Sequence, residues 1–309
     1  MAEKTNILVI HYSQSGQLAR VARSFVAPLL QNPAFAVTFE ALKPATAFPF
    51  PWPFFRFLDT FPEAVYLDAP PLQPSALQGD EEFDLVILAY QVWFLSPSLP
   101  TTAFLQSELA RKLLRGKKVV TLIACRNMWL MAQEEVKGML LKLGAQLVGN
   151  VALVDEAGSA GSFLATPVWV LSGQRGPHLG GLIPRAGVSE HDIEATSRFG
   201  QRIAERVAAG GPMDETLLQG LGAVQVNEKL ISSEKTAKRG FRIWGRLFRL
   251  LGPQGSCQRK PLILFYATFL ITFILTFIPV SVLLKSLLAP LARKRIAEQK
   301  TYYGAPSGS

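Results

Sequence analysis

The feature that most constrains this chain is a pair of short segments apolar on both faces. Phe83–Tyr90 (FDLVILAY) and Lys118–Ala124 (KVVTLIA) lack polar alternation. Strands of that kind need both faces covered, as in the middle of a parallel sheet. Helix-spaced segments stand between such runs. Ile7–Ile10 ends in a Ser/Gly turn, after which Leu18, Val21, Ala22, Phe25 and Leu29 share one helical face. Phe35–Leu42 reads as a second strand, Phe104–Leu114 as a helix, Leu130–Leu143 as a helix stopped by Gly144, and Leu147–Val154 as a fifth strand. Ser189 and Asp192 open a capping-box-like helix running to about Ala208. Five strands alternating with helices predict an α/β fold, a doubly wound five-stranded parallel sheet with right-handed crossovers.

Two stretches break the alternation. Pro44–Pro74 holds eight prolines and eight aromatics, among them Phe48, Phe50, Trp52, Phe54 and Phe55, and is expected to be a loop insertion. Ala157–Pro184, rich in Gly and Ser around TPVWVLSG, is expected to be irregular and to lie at the ligand-binding edge of the sheet.

The C-terminal third differs in charge and hydropathy. The net charge is +9, yet Lys229–Lys300 carries fourteen Lys/Arg against two acidic residues, leaving eighteen basic and twenty-one acidic residues elsewhere. A nucleic-acid-binding domain would carry the excess on its folded face, so nucleic acid is disfavoured and anionic lipid favoured. In Phe241–Leu251 the residues Phe241, Trp244, Leu247, Phe248 and Leu251 share a face opposite Arg239, Arg242, Arg246 and Arg249, the pattern of an interfacial helix; packing on the soluble domain is the alternative. Leu262–Leu284 is then 23 residues without a charge, enough to span a bilayer, with Pro279 expected to kink it. Lys285, Arg293, Lys294 and Arg295 follow, so the basic flanks are near-symmetric and do not decide between crossing and re-entry. The expected division is a domain over 1–211 with an insertion at 44–75, a basic amphipathic connector over 212–260, a membrane segment over 261–292, and a basic tail over 293–309. Two cysteines make no disulfide framework, and the N-terminal apolar run is too short for a signal-peptide core. The expected location is the cytoplasmic membrane, with the soluble domain facing the cytoplasm.

The turn after the first strand reads Ser13-Gln14-Ser15-Gly16-Gln17. It offers amides, small hydroxyls and a helix N-terminus, the parts a phosphate site needs, though a well-capped helix start has the same residues. No GxGxxG or P-loop motif is present. After the third strand come Tyr90, Gln91, Val92, Trp93 and Phe94, whose aromatics are candidate walls for a flat ring. After the fourth come Cys125, Arg126 and Asn127, with Arg126 a candidate partner for an anionic reduced flavin. His11, Tyr90 and Arg126 are the candidate catalytic residues; a packed strand-end histidine and a small buried Cys125 are the plainer readings. No cluster has metal-ligand spacing, so no metal is expected.

The hydroxyl-rich turn after Tyr12 and the Trp-containing loop closing on Pro100 resemble the flavodoxin family, over roughly Asn6–Ala209. Leu18 stands where that family usually has Thr, and Leu95 where it usually has Gly. The resemblance implies a flavodoxin-like fold and FMN as cofactor. Through AYQVWFLSPSLP, CRNMWLMAQE, GLGAVQVNEKLISSEK, FRIWG and the apolar span, the whole chain also resembles bacterial dialkylresorcinol condensing enzymes of dialkylresorcinol and aryl-polyene pathways. That resemblance implies a lipid-like substrate and, as partners, the ketosynthase and acyl carrier protein of the same pathway. Decarboxylative condensation asks for a Cys nucleophile with His partners, and Cys125 with His11, His178 and His191 forms no evident set. The expected activity is therefore an FMN-dependent oxidoreductase that aromatises a dialkyl cyclohexane-1,3-dione to a dialkylresorcinol. The alternatives are a membrane-bound quinone reductase or electron carrier, and a flavin-less pathway scaffold.

Overall fold

The structure, a computed structural model, describes residues 4–307, and for 277–292 nothing of the side chains. Five parallel strands, β1 (Thr5–His11), β2 (Phe35–Ala41), β3 (Leu85–Trp93), β4 (Lys118–Cys125) and β5 (Gln146–Val154), lie in the order β2-β1-β3-β4-β5. The two-residue return Ser96–Pro97 pairs antiparallel with the end of β3. This is the flavodoxin-like order, with its switch point between β1 and β3.

The strands alternate as a doubly covered sheet requires. Ile7, Val9, Leu85, Ile87, Val120 and Leu122 pack against α1 (Gln17–Leu30) on one face. Leu8, Ile10, Val86, Leu88, Val119 and Ile123 pack on the other. That second layer is α4 (Leu99–Leu105), α5 (Glu108–Leu114) and α6 (Leu130–Lys142). Each of these aliphatic side chains is almost wholly buried, which stabilises by roughly 1.5–3 kcal/mol apiece.

Several elements differ from expectation. The helix read over Phe104–Leu114 is interrupted at Ser107, whose Oγ accepts from Ala110 N and donates to Phe104 O, starting α5 afresh. Likewise the capped segment beginning at Ser189 divides into α8 (Glu190–Ala195) and α9 (Ser197–Ala208). The Pro-rich insertion is not merely a loop: it forms α2 (Phe54–Asp59) and α3 (Phe61–Tyr66). Pro53 precedes the first and Pro62 lies in the opening turn of the second, where a missing N–H costs nothing. The stretch expected to be irregular contains α7 (Gly158–Ser172), which includes Pro167. Its weak helix formers are held by tertiary contacts: Trp169 meets Phe50 edge-on, and Val170 O accepts from Trp52 N.

The domain boundary expected at 211 also needs correction. Leu217 and Leu218 are buried in the α1-side core, Ala223 O accepts from Ala152 N on β5, and Ile231 belongs to the opposite core. Residue 231 lies on α10 (Glu228–Leu250), which leads to the long helical segment α11 (Arg259–Gly304). Part of the face of α10 expected to meet lipid meets protein instead, through Phe241, Trp244 and Phe248, while Leu247 and Leu251 on the same face stay exposed. Phe248 and Tyr266 enclose Phe61, Phe241 packs edge-on to Phe61, and Trp244 contacts Tyr266 and Phe269. Phe61 comes from the insertion, so the Pro-rich segment is the platform on which both C-terminal helices dock. A buried ion cluster locks this junction: Arg259 pairs with Asp59 at 3.2 Å and Glu63 at 2.9 Å, and its Nε donates to Gly252 O. Arg239, Arg242, Arg246, Ile243, Leu247 and Leu250 remain exposed. The side chains of Pro279 and Lys285 lie outside the described ones.

Candidate functional site

At the switch point the β1–α1 turn faces the end of β3. Gly16 adopts φ 82°, a left-handed conformation that starts α1 with its first amides unpaired by the helix. Ser13 Oγ accepts from Ala19 N at 3.1 Å, which leaves its O–H free to donate outward. An added Cβ on Gly16 would meet nothing within 4 Å, so the space above the turn is open. Together these make a small anion cradle of amides and a hydroxyl. Gln14 and Gln17 do other work. Gln14 Nε2 donates to Pro49 O at 2.8 Å, tying the turn to the insertion. Gln17 is buried and clips the Val188 backbone, donating to Val188 O and accepting from Val188 N. The neighbouring Gly187 has φ 90°, and a Cβ there would stand 2.9 Å from Gln17 Oε1 and 3.0 Å from the Trp169 ring. Ser15 lies half-buried on the turn.

Of the residues expected in the third loop, Tyr90 through Trp93 lie within β3, and only Phe94 has left the strand. Trp93 meets the first turn: its ring lies 5.9 Å from Tyr12, 5.0 Å from Phe48 and 5.5 Å from Trp52, each close to perpendicular. Tyr90 is not a wall of the crevice. It points into the core, fully buried, and its hydroxyl donates to Gln133 Oε1 at 2.7 Å, so it has no face for a ligand. Phe94 turns the other way and packs on Phe57 and Phe61. Gln91 O accepts from Ser98 N to close the return, and Val92 packs on the core.

On the rim after β4, the Arg126 guanidinium lies 4.1 Å from the centre of the Phe163 ring on α7, and burial lowers its pKa while the nearby Asp155 opposes that. Asn127 is half-buried beside it. Burial pushes the Cys125 thiol well up, reinforced by Glu234, which disfavours a thiolate there. Burial also raises Tyr90 far above the usual phenol range. His11 sits beside Phe39 on the α1 face, and burial, then Arg23, lower its pKa, which keeps the ring neutral. The three candidate catalytic residues are thus not brought together. His11 and Tyr90 project from opposite faces of the sheet, and Arg126 alone reaches the rim.

Two further residues hold the site, both from α10. Glu234 Oε1 accepts from Met131 N at 2.7 Å, capping α6 from outside, and burial raises its pKa to about 7. Lys238 donates to Leu95 O at 3.0 Å and Ser96 Oγ at 2.6 Å, and pairs with Glu135 at 2.7 Å. Phe94 and Leu95 have φ of 50° and 61°, conformations that cost a non-glycine residue about 1–2 kcal/mol; the Lys238 bonds hold the return in place. The i, i+4 spacing of Glu234 and Lys238 was visible in sequence, but their partners lie more than a hundred residues away. A cleft of about 340 Å³ lined by Glu40, Lys43, Pro71, Ser75 and Phe104 lies apart from all these residues.

No protein-family model matches the chain, and no curated protein does. Among solved structures the chain is similar to a flavoprotein from Lactobacillus acidophilus in complex with FMN, 17% identical, covering 49% of this chain and 93% of that one, with a TM-score of 0.38. It is similar also to a flavodoxin from the domain Archaea, 13% identical, covering 66% and 99%, again with a TM-score of 0.38.

Proposed function

We propose that this protein binds FMN at the switch point and works as a flavin-dependent oxidoreductase held at the cytoplasmic face of a membrane. The observation that carries the reading is the open turn of Ser13, Ser15 and Gly16 at the head of α1, with Trp93 packed edge-on against Tyr12, the residue that precedes it. Ser13 O–H and the amides of Ser15, Gly16 and Gln17 would hold the phosphate. Trp93 would border the ring, with Arg126 placing positive charge at the rim. FMN supplies two-electron chemistry, accepting a hydride from a carbon centre. The substrate in this reading is a cyclohexane-1,3-dione with two alkyl chains, which loses a hydride and a proton to become a dialkylresorcinol. The disfavoured thiolate at Cys125 and the separated histidines support dehydrogenation over thiol-dependent condensation. The exposed apolar residues of α11 suit an enzyme whose substrate and product partition into lipid. The ketosynthase and acyl carrier protein of such a pathway would supply the dione.

The test is an absorbance spectrum of the full-length protein in detergent, followed by FMN titration and then by incubation with the dione in the absence of any acyl thioester. A yellow protein releasing FMN on heating, and resorcinol formed from the dione, are expected. Colourless protein that takes up no FMN would refute the reading. It would favour instead a scaffold, a second reading that draws on Phe48 and Trp52 packing against Trp93 from within the chain.

A further inference from the structure

We propose that α11 is re-entrant: its apolar part dips into the leaflet on the domain's own side of the membrane and returns, with both ends on that side. The proposal rests on the membrane reading above and adds its topology.

Both ends of α11 are fastened to the same folded domain. At the start, Arg259 is buried against Asp59 and Glu63, Gly255 N donates to Asp59 Oδ2, and Gln254 Nε2 donates to Thr60 Oγ1. At the far end, Tyr303 is buried in the core that contains Trp129 and Leu130. There Tyr302 OH donates to Glu134 Oε2 at 2.9 Å, Lys300 pairs with Glu228 at 2.7 Å, and Lys235 Nζ lies 5.4 Å from the centre of the Tyr303 ring. Arg259 touches Gly252, just past the end of α10, while Tyr303 touches Lys235, about 26 Å back along that helix. Even with extended side chains at both contacts, the ends of α11 are at most about 50 Å apart, whereas a straight helix from Arg259 to Tyr303 measures about 66 Å. The segment therefore turns back on the domain. A crossing helix would have to tear one fastening away.

Its described surface fits lipid. Only 17% of Arg259–Thr276 is buried, and Leu264, Phe265, Ile271 and Leu275 are all exposed. Shared between an outward and a return leg, the uncharged residues 262–284 give about 17 Å each, short of the ~30 Å hydrocarbon core. Arg239, Arg242 and Arg246 are exposed along α10, between the two fastenings, and Arg293, Lys294 and Arg295 are exposed on the return. A crossing helix would divide these basic groups between opposite faces; the re-entrant path gathers all of them on one anionic leaflet. The occupant of this surface is thus the acyl layer of an anionic phospholipid leaflet.

The test uses the full-length protein in cell membranes and a membrane-impermeant maleimide. Cys257, exposed in the native chain, reports the near end. Gly304→Cys in a Cys257→Ser background reports the far end, where an added side chain meets open space. Both thiols should react in inside-out vesicles, and both reactions should be lost in spheroplasts. Reaction of the thiol at position 304 in spheroplasts, with Cys257 reacting only in inside-out vesicles, would overturn the re-entrant path and leave the membrane reading standing. Protein recovered in the soluble fraction after lysis would overturn both. A protease-cleavable tag after Ser309 gives the same comparison without altering the helix.

Discussion

Replacing Glu234 by Gln should stabilise the protein at pH 8 and remove much of its pH dependence between 5 and 7. Glu234 is fully buried on α10, with one carboxylate oxygen accepting from Met131 N and the other without a partner among the described residues. Burial lifts its pKa from an ordinary 4.5 to about 7. Between those values the unfolded chain has released this proton while the folded protein still holds it, so stability falls as pH rises and levels off above about 7. A shift of this size corresponds to on the order of 3 kcal/mol, approached at a slope of up to about 1.4 kcal/mol per pH unit. Gln keeps the acceptor for Met131 N and never ionises. Urea denaturation in detergent, followed by tryptophan fluorescence at half-unit steps from pH 5 to 8, should show the native curve losing stability relative to the Glu234→Gln curve through that window, with His11 and Glu135 titrating alike in both. Glu234→Ala, which removes the cap as well, should fall below Gln by about 1 kcal/mol at every pH. Parallel curves for native protein and Glu234→Gln would refute the buried-carboxylate argument.

Arg259→Met should destabilise by about 3–5 kcal/mol because it strands two buried carboxylates, and combining it with Asp59→Asn and Glu63→Gln should restore most of the loss. In the same denaturation assay, a loss below about 1 kcal/mol would mean that the cluster behaves as an exposed pair. A chain ended after Gly211 should be insoluble, since it lacks Leu217, Leu218 and Ile231 from the two cores; a monodisperse folded product by size exclusion and circular dichroism would contradict that. Ser13→Ala should weaken FMN affinity by tenfold or more in a fluorescence titration, the lost hydroxyl bond to a charged group contributing about 1.5–3 kcal/mol, while Ser15→Ala, which keeps its amide, should change it little.

The sheet was legible because its strands are apolar on both faces, a pattern with few other meanings. Helix interruptions at Ser107 and Thr196 were not, since the apolar spacing runs on through both. The number of prolines in 44–74 argues against helix, but their positions do not: Pro53 and Pro62 stand at helix starts, where proline is compatible with the helix that follows. The amphipathic pattern of Phe241–Leu251 marks an apolar face, but periodicity cannot name what covers it: lipid is the expected cover, and Phe61 and Tyr266 take part of that face instead. At the site, Ser13 and Gly16 could be placed because a turn is local. Tyr90 was misplaced because strand β3 continues three residues past it and alternation turns its ring inward. The clip between Gln17 and Val188 bridges 171 residues and left no trace in the sequence.

Glu234 and Lys238 stand one turn apart on α10, the first hooked to the start of α6 and the second to the return at Leu95–Ser96. Lys238 also grips Glu135, so both hooks hold α6 and the second ties it to the return. A helix does not stretch, so the spacing of the two hooks is fixed by its pitch, about 6 Å over four residues. Inserting a single residue between them would swing one hook by about 100° round the axis and part α10 from either the start of α6 or the return, with no residue of the β1–α1 turn altered.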